Sequence, residues 1–257
     1  LGITLEYASI LIPALIIYRV FADEMGAQNL WVPGTQLNDG IAYDYAQGRR
    51  LIRSTHNFEN DILACAQNIA KRYMSSKSHV RAVLKVAETI FDSMRRVHGM
   101  GPRERLLLQI AVILHDCGKY CDVNEQILLC RKHHIKLSDA ELEVPALIHA
   151  RLGAYFAEYE YGITDSEILD AITYHTTGRP AMTMIEKIVY LADYIEPGRK
   201  KIPGLAEVRT AAFDDIDTAV CMTAESTLAF LKRAGRKVDP MTEKTCQYYK
   251  NKAAISL

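Results

Sequence analysis

The chain has 257 residues, with 31 Lys+Arg against 31 Asp+Glu, so its formal net charge is zero. That balance argues against a broad nucleic-acid footprint or an acidic solvating tail, since both need a surplus of one sign. Hydrophobic residues at 49% and charged residues at 24% are ordinary globular usage, which excludes wholesale disorder, and the length suits one large domain or two small ones.

In chain order, the first feature is the apolar run Ile10–Val20, interrupted by Pro13 and Arg19. It falls short of the roughly 20 uninterrupted apolar residues of a membrane span and is predicted as a buried helix. Leu1 in place of Met is expected of a processed product or an excised fragment. Asn29–Gly34 reads as a short β-prone run ending in a turn, and Asn38–Gly40 offers a second turn. Residues 1–50 therefore read as a helix, a strand and a turn, with a boundary near Gln47–Arg50 and no self-sufficient core. Apolar positions on residues 5–21 are expected to drive dimerisation, giving a homodimer, or aggregation.

Beyond residue 55 the pattern is helical. Phe58, Ile62, Leu63, Ala66, Ile69, Ala70 and Tyr73 recur at helical spacing, as do Val80, Val83, Leu84, Ala87, Ile90 and Phe91. Pro102 suits the first turn of a helix carrying Arg103–Leu114. Further helices are predicted over Val123–His133, Pro145–Tyr161, Ser166–Tyr174, Thr183–Ile195, Asp215–Ala234 and Pro240–Lys252. Met222, Phe230, Tyr248 and Tyr249 are expected in the core. The fold class is all-α, a helical bundle over residues 51–257.

Six cysteines without a secretory signal, two of them spaced C-x3-C at Cys117 and Cys121, do not form a disulfide framework in a chain this long. A reduced, cytoplasmic location is the expectation. Neither a nucleic-acid nor a membrane partner is indicated.

The eight histidines carry the chemistry. His115 and Asp116 end an apolar helix, where an imidazole and a carboxylate are costly unless neutralised or ligated. His79 opens a helix, His149 lies near the start of another, His175 ends a third, and Asp193 lies within Ile188–Ile195. Convergence of these elements would give four His and two Asp, a nitrogen/oxygen set without thiolate that suits iron, manganese or zinc. Two metals bridged by Asp116 and a hydroxide would clamp a phosphate and supply the nucleophile. His56, His98, His133 and His134 read as packing or surface residues. Lys119 could meet a phosphate oxygen as a point charge, and Arg179 could bind phosphate bidentately with Thr176 donating beside it. Arg151 and Arg199 are further substrate-binding candidates.

This set resembles the HD superfamily of metal-dependent phosphohydrolases. From about residue 121 onward, Pro145–Tyr155 (PALIHARLGAY), Ala171–Pro180 (AITYHTTGRP) and Ala192–Arg199 (ADYIEPGR) resemble the YqeK family of symmetrical dinucleoside-tetraphosphate hydrolases. That resemblance implies cleavage of diadenosine tetraphosphate into two ADP at a di-iron-type site. Carried over by position, the metal ligands are His79, His115, Asp116, His149, His175 and Asp193. Read from the residues themselves, Asp116, Lys119 and Arg179 are the catalytic candidates, with Lys119 or Arg179 stabilising the developing charge. Residues 1–120 resemble exopolyphosphatases and guanosine pentaphosphate phosphatases, through Ile12–Ile16, Leu30–Gly34, Leu37–Tyr45, His56–Glu59, Asn68–Tyr73 and Arg103–Tyr120. Residues 1–50 would then be a remnant of that family's α/β module, and the chain a hybrid joined near His115–Tyr120. The alternatives are hydrolysis of another phosphoanhydride or nucleotide, of the polyphosphate or guanosine pentaphosphate type, and a non-catalytic nucleotide-binding module.

Overall fold

The structure, a computed structural model, describes residues 5–32, 34–49, 51–53, 56–199 and 202–255. Helices account for all the regular structure among the described residues, and there is no strand. Two compact units divide the chain, Leu1–Asn57 and Phe58–Leu257.

The first unit holds α1 (Leu5–Glu24) and α2 (Leu37–Gly48). Three expectations for it fail. The β-prone run is not a strand at residues 29–32, because no neighbouring strand pairs with it, while Pro33 lies outside the described residues. Asn38–Gly40 is the first turn of α2 and not a reverse turn, since the Asp39 carboxylate accepts from the Gln36 amide (2.8 Å) and satisfies an open donor at the helix start. The predicted burial of α1 is also not found: Ile12 and Phe21 are 66% and 62% exposed. A unit this short has too little chain to cover a helix that is apolar all round.

The second unit is built from α3 (Phe58–Arg72), α4 (Lys77–Ser93), a single turn α5 (Arg95–His98), α6 (Pro102–Leu114), α7 (Val123–Lys132), the short α8 (Asp139–Glu143), α9 (Ile148–Tyr155), α10 (Ser166–Tyr174), α11 (Met184–Ile195), α12 (Leu205–Asp214), α13 (Ile216–Arg233) and α14 (Pro240–Ile255). The predicted helix starts coincide with caps. Ser76, Asp122, Asp165, Thr183 and Asp215 each accept a first-turn amide proton at the start of α4, α7, α10, α11 and α13. The stretch predicted as one helix over Pro145–Tyr161 is three: a 3₁₀ turn Pro145–Leu147, then α9, then a π-helical turn Phe156–Glu160. The helices α2, α8 and α12 were not anticipated.

The inner helices α6 and α11 place Leu108, Val112, Ile113, Ile188, Val189 and Leu191 at the centre of the core. Of the late residues expected inside, Tyr249 is fully buried and its hydroxyl accepts from the Met182 amide (3.0 Å). Phe230 and Tyr248 instead reach solvent, 53% and 37% exposed on α13 and α14. An aromatic cluster fixes the chain just after α6: Tyr73, at the end of α3, stacks on Phe156 and meets Tyr120 edge-on, both at 5.1 Å. That pins the 3₁₀ turn Cys117–Tyr120 against the C-terminal end of α9.

Candidate metal centre

Five helices deliver six side chains to one point. His115 and Asp116 follow the last turn of α6, His79 sits in the first turn of α4, His149 in the first turn of α9, His175 just past α10, and Asp193 in the last turn of α11. His115, Asp116, His149 and His175 are buried. Asp116 Oδ1 lies 3.6, 3.4 and 3.5 Å from Nε2 of His115, His149 and His175. On the other side, His79 Nε2 is 3.7 Å from Asp116 Oδ2 and 3.1 Å from Asp193 Oδ1. All six predicted ligands are thus brought together, His79 included.

Local backbone geometry sets the tautomers. Nδ1 of His115, His149 and His175 lies 2.7, 2.7 and 2.6 Å from the carbonyl oxygens of Val112, Ala146 and Ile172, each three residues earlier. A carbonyl only accepts, so each Nδ1 carries the proton and each Nε2 presents a lone pair. These lone pairs face acceptors. Nε2 of His149 and His175 are 3.1 Å apart, and both His115 Nε2 and Asp116 Oδ1 are buried without a hydrogen-bond partner. Each such orphan costs about 1–3 kcal/mol, and a cation held between them removes the conflict. Two overlapping groups could hold a metal ion: His79 with His115 and Asp116, and Asp116 with His149 and His175. Asp116 belongs to both, as a bridging carboxylate would.

The electrostatics agree with that fit. Burial pushes the His149 imidazole down to about 3, with His175 and Lys119 adding to it, and burial likewise lowers His115. Burial works to raise Asp116, but His115, His175 and Lys119 overcome it and hold the carboxyl far below the usual range. Asp193 is likewise depressed: burial raises it, and its hydrogen bond to His79 with the nearby His115, His175 and Arg199 more than offset that. The neighbouring Cys117 is pushed up to about 12 by burial and stays a thiol, so it does not compete as a soft ligand.

These shifts give a stability prediction. The unfolded chain protonates His149 near 6.5 and the folded protein near 3, so the unfolded state binds more protons between those values. Stability from this group is complete above the unfolded value and is lost as pH falls below it, by about 2 kcal/mol at pH 5. His79 opposes this, since its hydrogen bond to Asp193 raises its pKa, but His115 adds to His149. Denaturant melts of metal-stripped protein should show the midpoint falling between pH 7 and pH 5; a midpoint that rises would contradict the assignment.

Residues 77–198 match the HD domain family. A symmetrical bis(5'-nucleosyl)-tetraphosphatase from Halalkalibacterium halodurans is 39% identical over 159 residues, covering 61% of this chain and 81% of that protein. The enzyme of the same description from Bacillus subtilis is 36% identical over 186 residues, covering 71% and 92%. The chain belongs to this family. A crystal structure of an HD superfamily hydrolase from Clostridium acetobutylicum, described as involved in NAD metabolism, superposes with a TM-score of 0.65 at 29% identity, covering 74% of this chain and 97% of that one.

Membership in the tetraphosphatase family corrects the expected hybrid. An alignment of 186 residues is longer than everything from residue 121 to the C-terminus, so the likeness to tetraphosphatases begins well upstream of the proposed join. The HD match likewise runs from 77 to 198 through His115–Tyr120 without a break. The exopolyphosphatase resemblance of residues 1–120 receives no support from these relatives.

The predicted phosphate-binding cations divide. Lys119 Nζ reaches Asp116 Oδ1 and Oδ2 at 2.8 and 2.9 Å, and Arg199 reaches Asp193 at 3.1 Å; both sit at the rim, half exposed. Arg179 is committed elsewhere. Its Nε donates to Glu186 Oε1 (2.5 Å), and its Nη2 donates to Glu186 Oε2 (3.0 Å) and Asp170 Oδ2 (3.1 Å). Glu186 is fully buried, so Arg179 is held in a structural ion pair. Arg179→Ala should lower stability by about 2–4 kcal/mol, because it strands a buried charge, while activity at 25 °C persists; loss of activity at unchanged Tm would reverse this reading.

Arg151 is also held away. It lies two positions after His149, roughly 200° round the helix, and its Nε donates to Glu141 Oε1 (2.6 Å). Arg151 and Thr176 line a cavity of about 350 Å³ with Tyr174 and Lys244, and none of the six cluster residues is among its lining. Sequence reasoning overlooked Glu196. It is buried, its Oε1 lies 4.0 Å from His79 Nδ1, and its Oε2 accepts from the Gly198 amide (2.5 Å). The signal was present, since Glu196 falls inside the quoted run Ala192–Arg199. Of the histidines read as packing, His98 bonds Phe91 O (2.8 Å) and the Met100 amide, and His133 meets the Tyr155 hydroxyl.

Proposed function

We propose that the protein is a metal-dependent phosphohydrolase that cleaves dinucleoside tetraphosphates symmetrically, diadenosine tetraphosphate giving two ADP. The observation that carries this is the convergence of three buried Nε2 lone pairs on the orphaned Asp116 Oδ1, with His79 and Asp193 on its other side. His79, His115, Asp116, His149, His175 and Asp193 are the proposed ligands of two metal ions, with iron the proposed metal for this nitrogen/oxygen set. When bound, such ions supply Lewis acidity toward phosphate oxygens and lower the pKa of a water to near neutrality.

The chain's own groups do the rest. Nδ1–H bonds to backbone carbonyls lock three imidazoles in the ligating tautomer, which raises their basicity. Asp116 and Asp193 supply the negative charge that offsets two cations. Lys119 and Arg199 stand at the open side, where they neutralise the phosphate chain and orient it by charge. Because the positive charge is local, a neutral chain can bind a highly anionic substrate.

Metal content of the purified protein and the products from diadenosine tetraphosphate test the proposal together. The expected result is bound first-row metal and ADP as the only nucleotide product. Release of ATP with AMP would overturn the symmetrical assignment. Protein that lacks such metals and is not activated by iron, manganese or zinc would overturn the hydrolytic one.

A further inference from the structure

A second cavity, of about 650 Å³, opens between α3 and α4. Its floor is apolar, made by Val80, Leu84 and the fully buried Ile113, and its rim carries Lys71, Lys77 and Arg81 with the amides of Gln67 and Asn68. Among the described residues, no ion pair or hydrogen bond engages the side chains of those three cations. Lys77 and Arg81 are four residues apart on α4, a like-charge spacing that works against the helix. All three cations are exposed and the cavity lining holds no carboxylate, so they are free to meet an anion. The N-terminal end of α4 adds the positive end of its dipole, and Ser75, just before it, also lines the cavity.

The cavity is not the metal centre. Lys77 and Arg81 each lie two positions from His79, so they point to the opposite side of α4 from the imidazole, about 200° round the helix. A volume of this order falls in the usual range for small-ligand sites, about 300–1,000 Å³. The apolar floor fits a flat base and sugar, the amides fit base edges, and the cations fit a chain of two or three phosphates.

We propose that this cavity is a second binding site, for a nucleoside di- or triphosphate, separate from the metal centre. Equilibrium dialysis of labelled ADP against the full chain as purified, compared with a Lys71→Ala/Arg81→Ala double variant, tests it. The wild-type chain should bind one more ADP per chain than the variant, whose affinity at this site should fall by about tenfold or more. Hydrolysis of diadenosine tetraphosphate at saturating substrate should be unchanged in the variant. Equal stoichiometry and affinity in the two proteins would overturn the proposal. Adenosine and inorganic tripolyphosphate should each bind this site more weakly than ADP. Tripolyphosphate binding as tightly as ADP would reduce it to a bare anion site, and a short oligoadenylate displacing ADP more effectively than ATP would make it an RNA contact; either result overturns the nucleotide assignment. The proposal does not rest on the hydrolytic reading. If the metal centre binds no nucleotide, the expected numbers are one site per wild-type chain and none in the variant.

Discussion

Asp116→Asn should abolish hydrolysis, by on the order of 10³-fold or more in kcat, and strip most of the bound metal, while the helical content stays the same. Asn has the shape of Asp, so the packing around it is preserved. What changes is the charge: Asp116 Oδ1 sits among three Nε2 lone pairs, and Oδ2 faces His79 and Lys119. A neutral amide can bridge two cations only weakly and would turn an N–H toward one of those acceptors. Metal analysis with single-turnover hydrolysis of diadenosine tetraphosphate checks the result. Full metal content with activity within tenfold of wild type would show that Asp116 is not a shared ligand. His149→Ala and Asp193→Ala should each give a similar loss, since groups that act as one unit do not contribute additively.

Among the described glycines, Gly118→Ala should be the most damaging alanine substitution. A Cβ there would stand 2.0 Å from the His149 carbonyl oxygen, 2.8 Å from its carbonyl carbon and 2.9 Å from the Gly153 nitrogen. All three are backbone atoms, so no side chain can turn aside, and α9 would have to move bodily. The stability cost is expected at the upper end of overpacking, about 3 kcal/mol. The same shift carries His149 away from Asp116, and a displacement of this order costs about 10²-fold in rate. Gly101→Ala is the control, because its Cβ would meet only the flexible Glu104 carboxylate at 3.5 Å. Thermal melts with metal analysis of both variants decide it. A Gly118→Ala protein with unchanged Tm and full metal content would mean that α9 does not pack against the Cys117–Tyr120 turn this closely.

Much of this was readable in the residues. His115 and Asp116 at the end of an apolar helix announce a site because burying them is expensive, whatever surrounds them. The helix starts were readable for a local reason too: Ser76, Asp122, Asp165, Thr183 and Asp215 satisfy amides within three residues of themselves. What local pattern did not reveal is what depends on distant partners. The Asn29–Val32 run has strand-like composition, but strands exist only in pairs. The helix α1 has a core-like composition, but burial needs a surface to bury against. Arg179 has the charge for phosphate and sits beside His175, yet it is held by Glu186 and Asp170, which no local pattern reveals.

The sequence by itself determined the all-α class and the neutral charge, and it pointed to six side chains that the fold brings to one place, because each follows from residue type and spacing within a few positions. Only the tertiary structure decided that His79 reaches Asp193, that Lys119 and Arg199 stay at the centre while Arg151 and Arg179 leave it, and that Gly118 is the contact letting α9 close on the His-Asp pair. Those outcomes depend on how five helices pack, and packing is a sum over contacts between residues far apart in the chain. A formal charge of zero is fixed by counting. Where the charge sits is fixed by the fold.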